Sequence, residues 1–127
     1  YDIYRALMEG TSYEMRVNLE KMESVSGQVN EIRATGGGAT SDIWLQIKAD
    51  ILGKAVTALN APQVGAAGTA ALAGAAIGIY GNIETAAEKM SPVRRVFYPN
   101  PENAEIYSGY YKKYAGFYSA IKGLGGI

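Results

Sequence analysis

No cysteine and no histidine occur among the 127 residues. Disulfides, Cys/His zinc sites, thiol nucleophiles and imidazole bases are therefore outside the chemistry open to this chain. Excess charge is missing as well: 12 Lys plus Arg balance 12 Asp plus Glu. Nothing draws polyanions or anionic membranes in bulk, so nucleic acid and membrane are not expected partners and any phosphate contact has to be local. Long apolar runs are also lacking. The least polar stretch, Gly65 to Tyr80, is mostly Ala and Gly; it falls short of the roughly 20 residues of a spanning helix and reads as a buried helix. The absence of thiols is compatible with a reduced, cytoplasmic setting. A chain of this length suits one domain. Tyr in first place, with a helical pattern under way by Asp2, reads as a fragment or processed product. Carboxylates, Lys, Arg, hydroxyls and main-chain amides remain, a set better suited to phosphate handling than to acyl transfer.

Periodicity organises what is present. Tyr4, Met8, Met15, Leu19 and Met22 recur at helical spacing and predict an amphipathic helix over 2–22, ended by the Ser/Gly/Gln segment 24–28. Residues 29–34 (VNEIRA) follow as a strand with Ile32 and Ala34 on one face. After Gly36, Gly37 and Gly38, Ser41 is a good N-cap and Asp42 suits the positive helix end. Ile43, Trp44, Ile47, Ile51 and Leu52 then predict an apolar face that stops at Gly53, with Trp44 packed on the sheet side. Residues 54–59 (KAVTAL) read as a second strand. Asn60, Ala61 and Pro62 signal the start of a third helix running to about Tyr80, and 83–90 a short fourth one. Residues 93–98 (VRRVFY) read as an edge strand whose adjacent Arg94 and Arg95 point to opposite faces and cannot form one clamp. Pro99, Asn100 and Pro101 open a last helix with an aromatic face of Tyr107, Tyr110, Tyr111, Tyr114, Phe117, Tyr118 and Ile121. The order is that of one α/β layer structure.

Three glycines between a strand and a helix start permit positive φ and let a ligand reach the main chain unobstructed by a Cβ. Amides at the helix start face whatever sits there, and an anion or the edge of a nucleotide is the natural occupant. The same turn can equally serve only to pack a helix on a sheet. No Lys lies between Gly36 and Trp44, which rejects a P-loop. Ser41 stands where a dinucleotide fingerprint has glycine, and Leu59 and Asn60 occupy the region of its ribose-binding acid. A Rossmann reading keeps little support. The small-residue helix with Gly74 and Gly78 is expected to approach a neighbouring helix or sheet closely.

The longer string 35–56, TGGGATSDIWLQIKADILGKAV, closely resembles the adenosine-binding segment in the C-terminal domain of the FGGY carbohydrate kinases, with the xylulokinases nearest. Residues 4–22, the helix 65–78 (GAAGTAALAGAAIG) and the ending 98–114 (YPNPENAEIYSGYYKKY) are similar to family segments too. The resemblance covers nearly all of 1–127, yet only the last quarter or so of such a kinase. It implies part of an actin-like, ribonuclease-H-like ATPase domain: a short sheet covered by helices and ending in a Tyr-rich helix. It also implies ATP with Mg²⁺ as cofactors, and a sugar substrate, D-xylulose first and gluconate, ribulose, fuculose or glycerol as alternatives. By the resemblance, Gly37, Gly38 and Ser41 lie against adenosine, Gly36, Ala39 and Thr40 complete the turn 35–42, and the helix after the second strand backs the nucleotide cleft. Gln46 and Asp50 match recurrent family positions and are read as structural.

The base, the metal ligands and the sugar-binding side chains of the family lie in segments preceding the matched one. No catalytic or metal residue is therefore assigned here, and the fragment alone is expected to be inactive. Two rival classes stay open. One is a stand-alone nucleotide- or dinucleotide-binding module without kinase activity; the other is a packing piece that forms a homodimer through Tyr107 to Tyr118.

Overall fold

The computed structural model describes residues 1–61 and 63–122. Pro62 of the expected helix start and the Tyr118 side chain of the expected aromatic face lie outside the described residues. The elements follow the expected order: α1 (Asp2–Ser26), β1 (Glu31–Ala34), a 3-10 turn (Gly37–Ala39), α2 (Asp42–Leu52), β2 (Ala55–Leu59), α3 (Val64–Ala76), α4 (Ile83–Met90), β3 (Val93–Phe97) and α5 (Pro101–Lys122). Strand order in the sheet is β1-β2-β3. β1 and β2 run parallel, with Ile32 opposite Val56 and Ala34 opposite Ala58, and β3 is antiparallel to β2. A parallel pair requires a crossover, and α2 supplies it.

α2 is the central element because both of its faces are covered. Leu45 and Ala49 pack on Val56, Ala58 and Phe97 of the sheet, joined by Ile32 and Ala34. Ile47 and Ile51 turn the other way onto Tyr13 of α1 and onto Tyr107 and Tyr111 of α5. Two contact faces on one helix explain why the single expected face is incomplete: Leu45 is fully buried, whereas Ile43 in the first turn is 71% exposed. Asp50, also buried, accepts hydrogen bonds from Gln46 Nε2 and Asn100 N (both 2.8 Å) and from Asn103 Nδ2 (3.0 Å). Gln46 and Asp50 are thus structural, as expected.

α1 runs four residues past the expected end. Ser24 and Ser26 donate back to the Lys21 and Met22 carbonyls at 2.7 and 2.8 Å, which keeps the last turn helical until Gly27 at φ 87°. Its expected stripe is only partly the buried one. Ser12 and Tyr13 go inward with Met8 and Val17 beside them, while Tyr4 and Met22 stay exposed. Contacts with α2 and α5 enclose only the middle turns, and Ser12 fits there because its hydroxyl donates to the Met8 carbonyl at 2.7 Å.

α3 differs most from expectation. It is exposed along most of its length, with only Ala71 and Gly74 buried. Composition made it look like an interior helix, but the helix it packs on most among the described residues is α4. The Tyr80 ring, in the turn that follows the helix's end at Ala76, occupies the space a side chain at Gly74 would need, so the close approach there is to the chain's own turn and not to a neighbouring helix or sheet.

On α5, Asn100 Oδ1 accepts from the Glu102 and Asn103 amides (3.0 and 3.2 Å) and Pro101 begins the helix. Tyr107 and Tyr111 are buried, but Tyr110 and Phe117 are exposed, so the aromatic face is narrower than its sequence. Three of its hydroxyls are engaged within the chain: Tyr107 donates to Glu9 (2.8 Å), Tyr111 to Glu20 (2.6 Å) and Tyr114 to Glu14 (2.9 Å).

The phenols of Tyr13 and Tyr111 should make the protein alkali-sensitive. Burial, then neighbouring carboxylates, push Tyr13 and Tyr111 up to about 12 from an ordinary 10.0. A raised acid is favoured in its neutral form, so this contribution is whole below pH 10.0 and is lost as pH rises through about 12. We expect phenolate absorbance from these two to appear only as helicity falls, and Tyr111→Phe to blunt the transition. Titration of all ten tyrosines together near pH 10.0 with helicity intact would count against this account.

Candidate functional site

The glycine turn sits at the carboxyl ends of the parallel strands β1 and β2, where open α/β sheets bind ligands. Gly36 adopts φ 72°, ψ −164°, a conformation essentially reserved for glycine. Its carbonyl accepts from Ala39 N at 3.0 Å, and the Gly37 carbonyl accepts from Thr40 N at 3.2 Å and Thr40 Oγ1 at 2.7 Å. These bonds form the 3-10 turn and leave its leading amides, at Gly37 and Gly38, as the open donors of a helical start.

The turn is not plugged. A Cβ built on Gly36 or Gly37 meets no atom within 4 Å, and one on Gly38 would touch only the Trp44 ring at 3.5 Å and Lys48 Nζ at 3.8 Å. The expectation that Trp44 packs on the sheet does not hold. Its ring lies beside Gly38 and under the Lys48 ammonium, 4.1 Å from the centroid, because the sheet-facing positions of α2 are Leu45 and Ala49. Partial burial pushes that ammonium below its ordinary pKa.

The other expected residues divide by what they can offer. Ala39 is buried, with its amide on Gly36 and its carbonyl accepting from Arg94 Nη2 at 3.0 Å, so it shapes the turn. Ser41 Oγ caps α2 by accepting from Trp44 N at 3.3 Å, which leaves its hydroxyl hydrogen available. Beside the turn lies a predominantly apolar cavity of about 240 Å³ between the strand ends, α3 and α4, lined among others by Thr35, Leu59, Gly68, Ala87 and Met90. A smaller one of about 50 Å³, bordered by Gly36, Thr40, Asn60 and Arg94, shares Leu59 and Ala61 with it. The exposed α3 thus forms one wall of the larger cavity, while of the turn glycines Gly36 borders the smaller one. α4 as the second wall carried no sequence signal beyond its short helical pattern.

Arg94 and Arg95 correct a second expectation, since both reach one carboxylate. Arg94 Nη2 lies 2.8 Å from Asp42 Oδ1 and Arg95 Nη1 lies 3.0 Å from Asp42 Oδ2. The cause is a β-bulge: Ala58 is opposite Arg95 and Leu59 opposite Val93, so Arg94 has no cross-strand partner and the alternation of sides breaks. Arg94 above all, then Arg95, holds the Asp42 carboxyl below the ordinary carboxylate range. Among the described residues no group of three or more acidic side chains gathers to hold a metal ion, and no helix is long and apolar enough to cross a membrane.

A short mixed sheet, a glycine-led crossover helix and flanking helices make this an α/β domain, and its fold is the ribonuclease-H-like, actin-like one of its solved neighbours. The xylulose kinase of Rhodospirillum rubrum superposes with a TM-score of 0.84 at 24% identity, over 96% of this chain and 25% of that one. Residues 1–77 match the FGGY family of carbohydrate kinases, C-terminal domain, and the chain belongs to that family. It is 35% identical over 123 residues to a xylulose kinase of Staphylococcus epidermidis, covering 97% of this chain and 25% of the relative. It is 36% identical over 121 residues to a glycerol kinase of Escherichia coli, covering 94% and 23%. The chain therefore spans about a quarter of the length of these relatives.

Proposed function

We propose that this chain is the nucleotide-binding C-terminal portion of an ATP-dependent sugar kinase, which transfers the γ-phosphoryl of MgATP to a sugar hydroxyl, D-xylulose first among candidates. One observation carries the reading: an unplugged glycine turn stands at the ends of two parallel strands, beside an apolar cavity that shares Leu59 and Ala61 with the small cavity bordered by Gly36. An adenosine needs that combination, an apolar slot for the base and donors beside it for the polar edge. The amides of Gly37 and Gly38 and the Ser41 hydroxyl hold the nucleoside, with Gly36, Ala39 and Thr40 shaping the turn. Bound MgATP supplies the phosphoryl group and neutralises its charge. The carboxylate that takes the sugar proton, the metal ligands and most of the sugar site belong to parts of the protein outside this chain, which acts in the cytoplasm. The xylulose kinase likeness favours xylulose, and glycerol or gluconate are the competing sugars.

Titration of the full-length protein with ADP, ATP and NADH tests this. Saturable binding of ADP and ATP, with ATP consumed in the presence of D-xylulose, is the expected result. Preference for NADH, or no nucleotide binding at all, would remove the kinase reading.

A further inference from the structure

We propose that Arg94 is a positioning residue for nucleotide binding: the bulge in β3 delivers it to the glycine turn, where it holds the Ala39 carbonyl and the Asp42 carboxylate together and sets the turn before the ligand arrives. The inference rests on the reading of that turn as a nucleotide cradle. In a regular strand Arg94 and Arg95 would diverge. Skipping Arg94 in the register lets both converge on Asp42, the first residue of α2. Arg94 does more than its neighbour. Its Nη2 also donates to Ala39 O at 3.0 Å, and its side chain borders the small cavity beside Gly36. Ala39 is thereby held at both ends, its amide by Gly36 and its carbonyl by Arg94. Its neighbours Gly36, Gly37 and Gly38 carry no side chain that could be packed, so such a turn is costly to order. Ordering it in the free protein removes that cost from the binding step.

The same geometry ranks the variants. The Arg94 side chain is about half as exposed as that of Arg95, 34% against 61%, and touches the turn as well as Asp42, while Arg95 pairs with Asp42 and lies over the Phe97 ring. In the full-length protein, Arg94→Gln should weaken adenosine, ADP and ATP about equally, by about tenfold, the scale of one charge-assisted hydrogen bond. Without ligand it should also speed hydrogen exchange at the Ala39 and Thr40 amides. Arg94→Lys keeps a charge for Asp42 but lacks the planar fork, so it should fall between wild type and Arg94→Gln and serves if the latter folds poorly. Arg95→Gln should cost no more than about threefold, as expected of an exposed ion pair.

Unchanged exchange and affinity in both Arg94 variants would overturn the proposal. So would a loss that grows from adenosine to ATP, since Arg94 would then be a direct phosphate ligand. Failure of the wild type to bind any of the three removes the nucleotide reading and the positioning role with it, while exchange at Ala39 and Thr40 still decides whether Arg94 orders the turn.

Discussion

Replacing Asp50 with leucine should lower the unfolding free energy by about 3 kcal/mol, the cost of leaving several buried donors without their charged acceptor. The carboxylate is 3% exposed and takes the Gln46 side chain, the Asn100 amide and the Asn103 side chain. Gln46 keeps its second acceptor, the Tyr98 carbonyl at 2.9 Å, so the loss falls mainly on Asn100 and Asn103. Those two residues start α5, and α5 carries Tyr107 and Tyr111 into the helical core. A fault at Asp50 therefore propagates into the packing of α1, α2 and α5. Asp50→Asn keeps the volume and one acceptor oxygen and should lose about half as much. Urea unfolding of the three proteins decides it; a leucine variant within 0.5 kcal/mol of wild type, the range of an ordinary surface change, would mean that Asp50 is not the hub.

How far such features can be read without coordinates depends on whether their cause is local. The unit from β1 to β2 was legible because each boundary has its own chemistry: Gly36 for positive φ, Ser41 for the cap, Gly53 for the left-handed stop at φ 64°. The cap on α5 was legible from Asn100 and Pro101 for the same reason. Burial was read less well, since it depends on what the rest of the chain brings up. Tyr4 belongs to the expected stripe and Tyr13 to the opposite side of the helix, yet it is Tyr13 that meets α5 while Tyr4 stays exposed. Ile43 and Leu45 are equally apolar, and the sheet selects Leu45. Small residues in α3 signalled close packing, but at Gly74 the neighbour is Tyr80 of the following turn, and most of the helix stays exposed. The convergence of Arg94 and Arg95 on Asp42 was out of reach, because a bulge is a mismatch between two strands and neither sequence declares it.

Gly37→Val should weaken ADP binding by at least a hundredfold with little change in thermal stability, and this separation makes it the most informative substitution in the turn. Gly36 is unsuitable, since its φ of 72° strains any side chain and would cost about 1–3 kcal/mol of folding. Gly38 is ambiguous, because a Cβ there rests against Trp44 and Lys48, and a larger group would disturb α2 as well as any ligand. Gly37 has neither problem: its φ is not positive and nothing lies within 4 Å of a Cβ built on it. In the proposed binding mode that space is also where a ligand comes to meet the Gly37 and Gly38 amides. Two methyl groups there hold the nucleoside away from donors that act only at hydrogen-bond distance, and two such bonds are worth about 3 kcal/mol, or a hundredfold. In the full-length protein the ADP dissociation constant should rise while the unfolding temperature without ligand stays within about 2 °C, because no contact of the fold has been removed. Wild-type ADP affinity in Gly37→Val would show that the nucleotide does not approach over the turn, and the assignment of Gly37, Gly38 and Ser41 would fall with it.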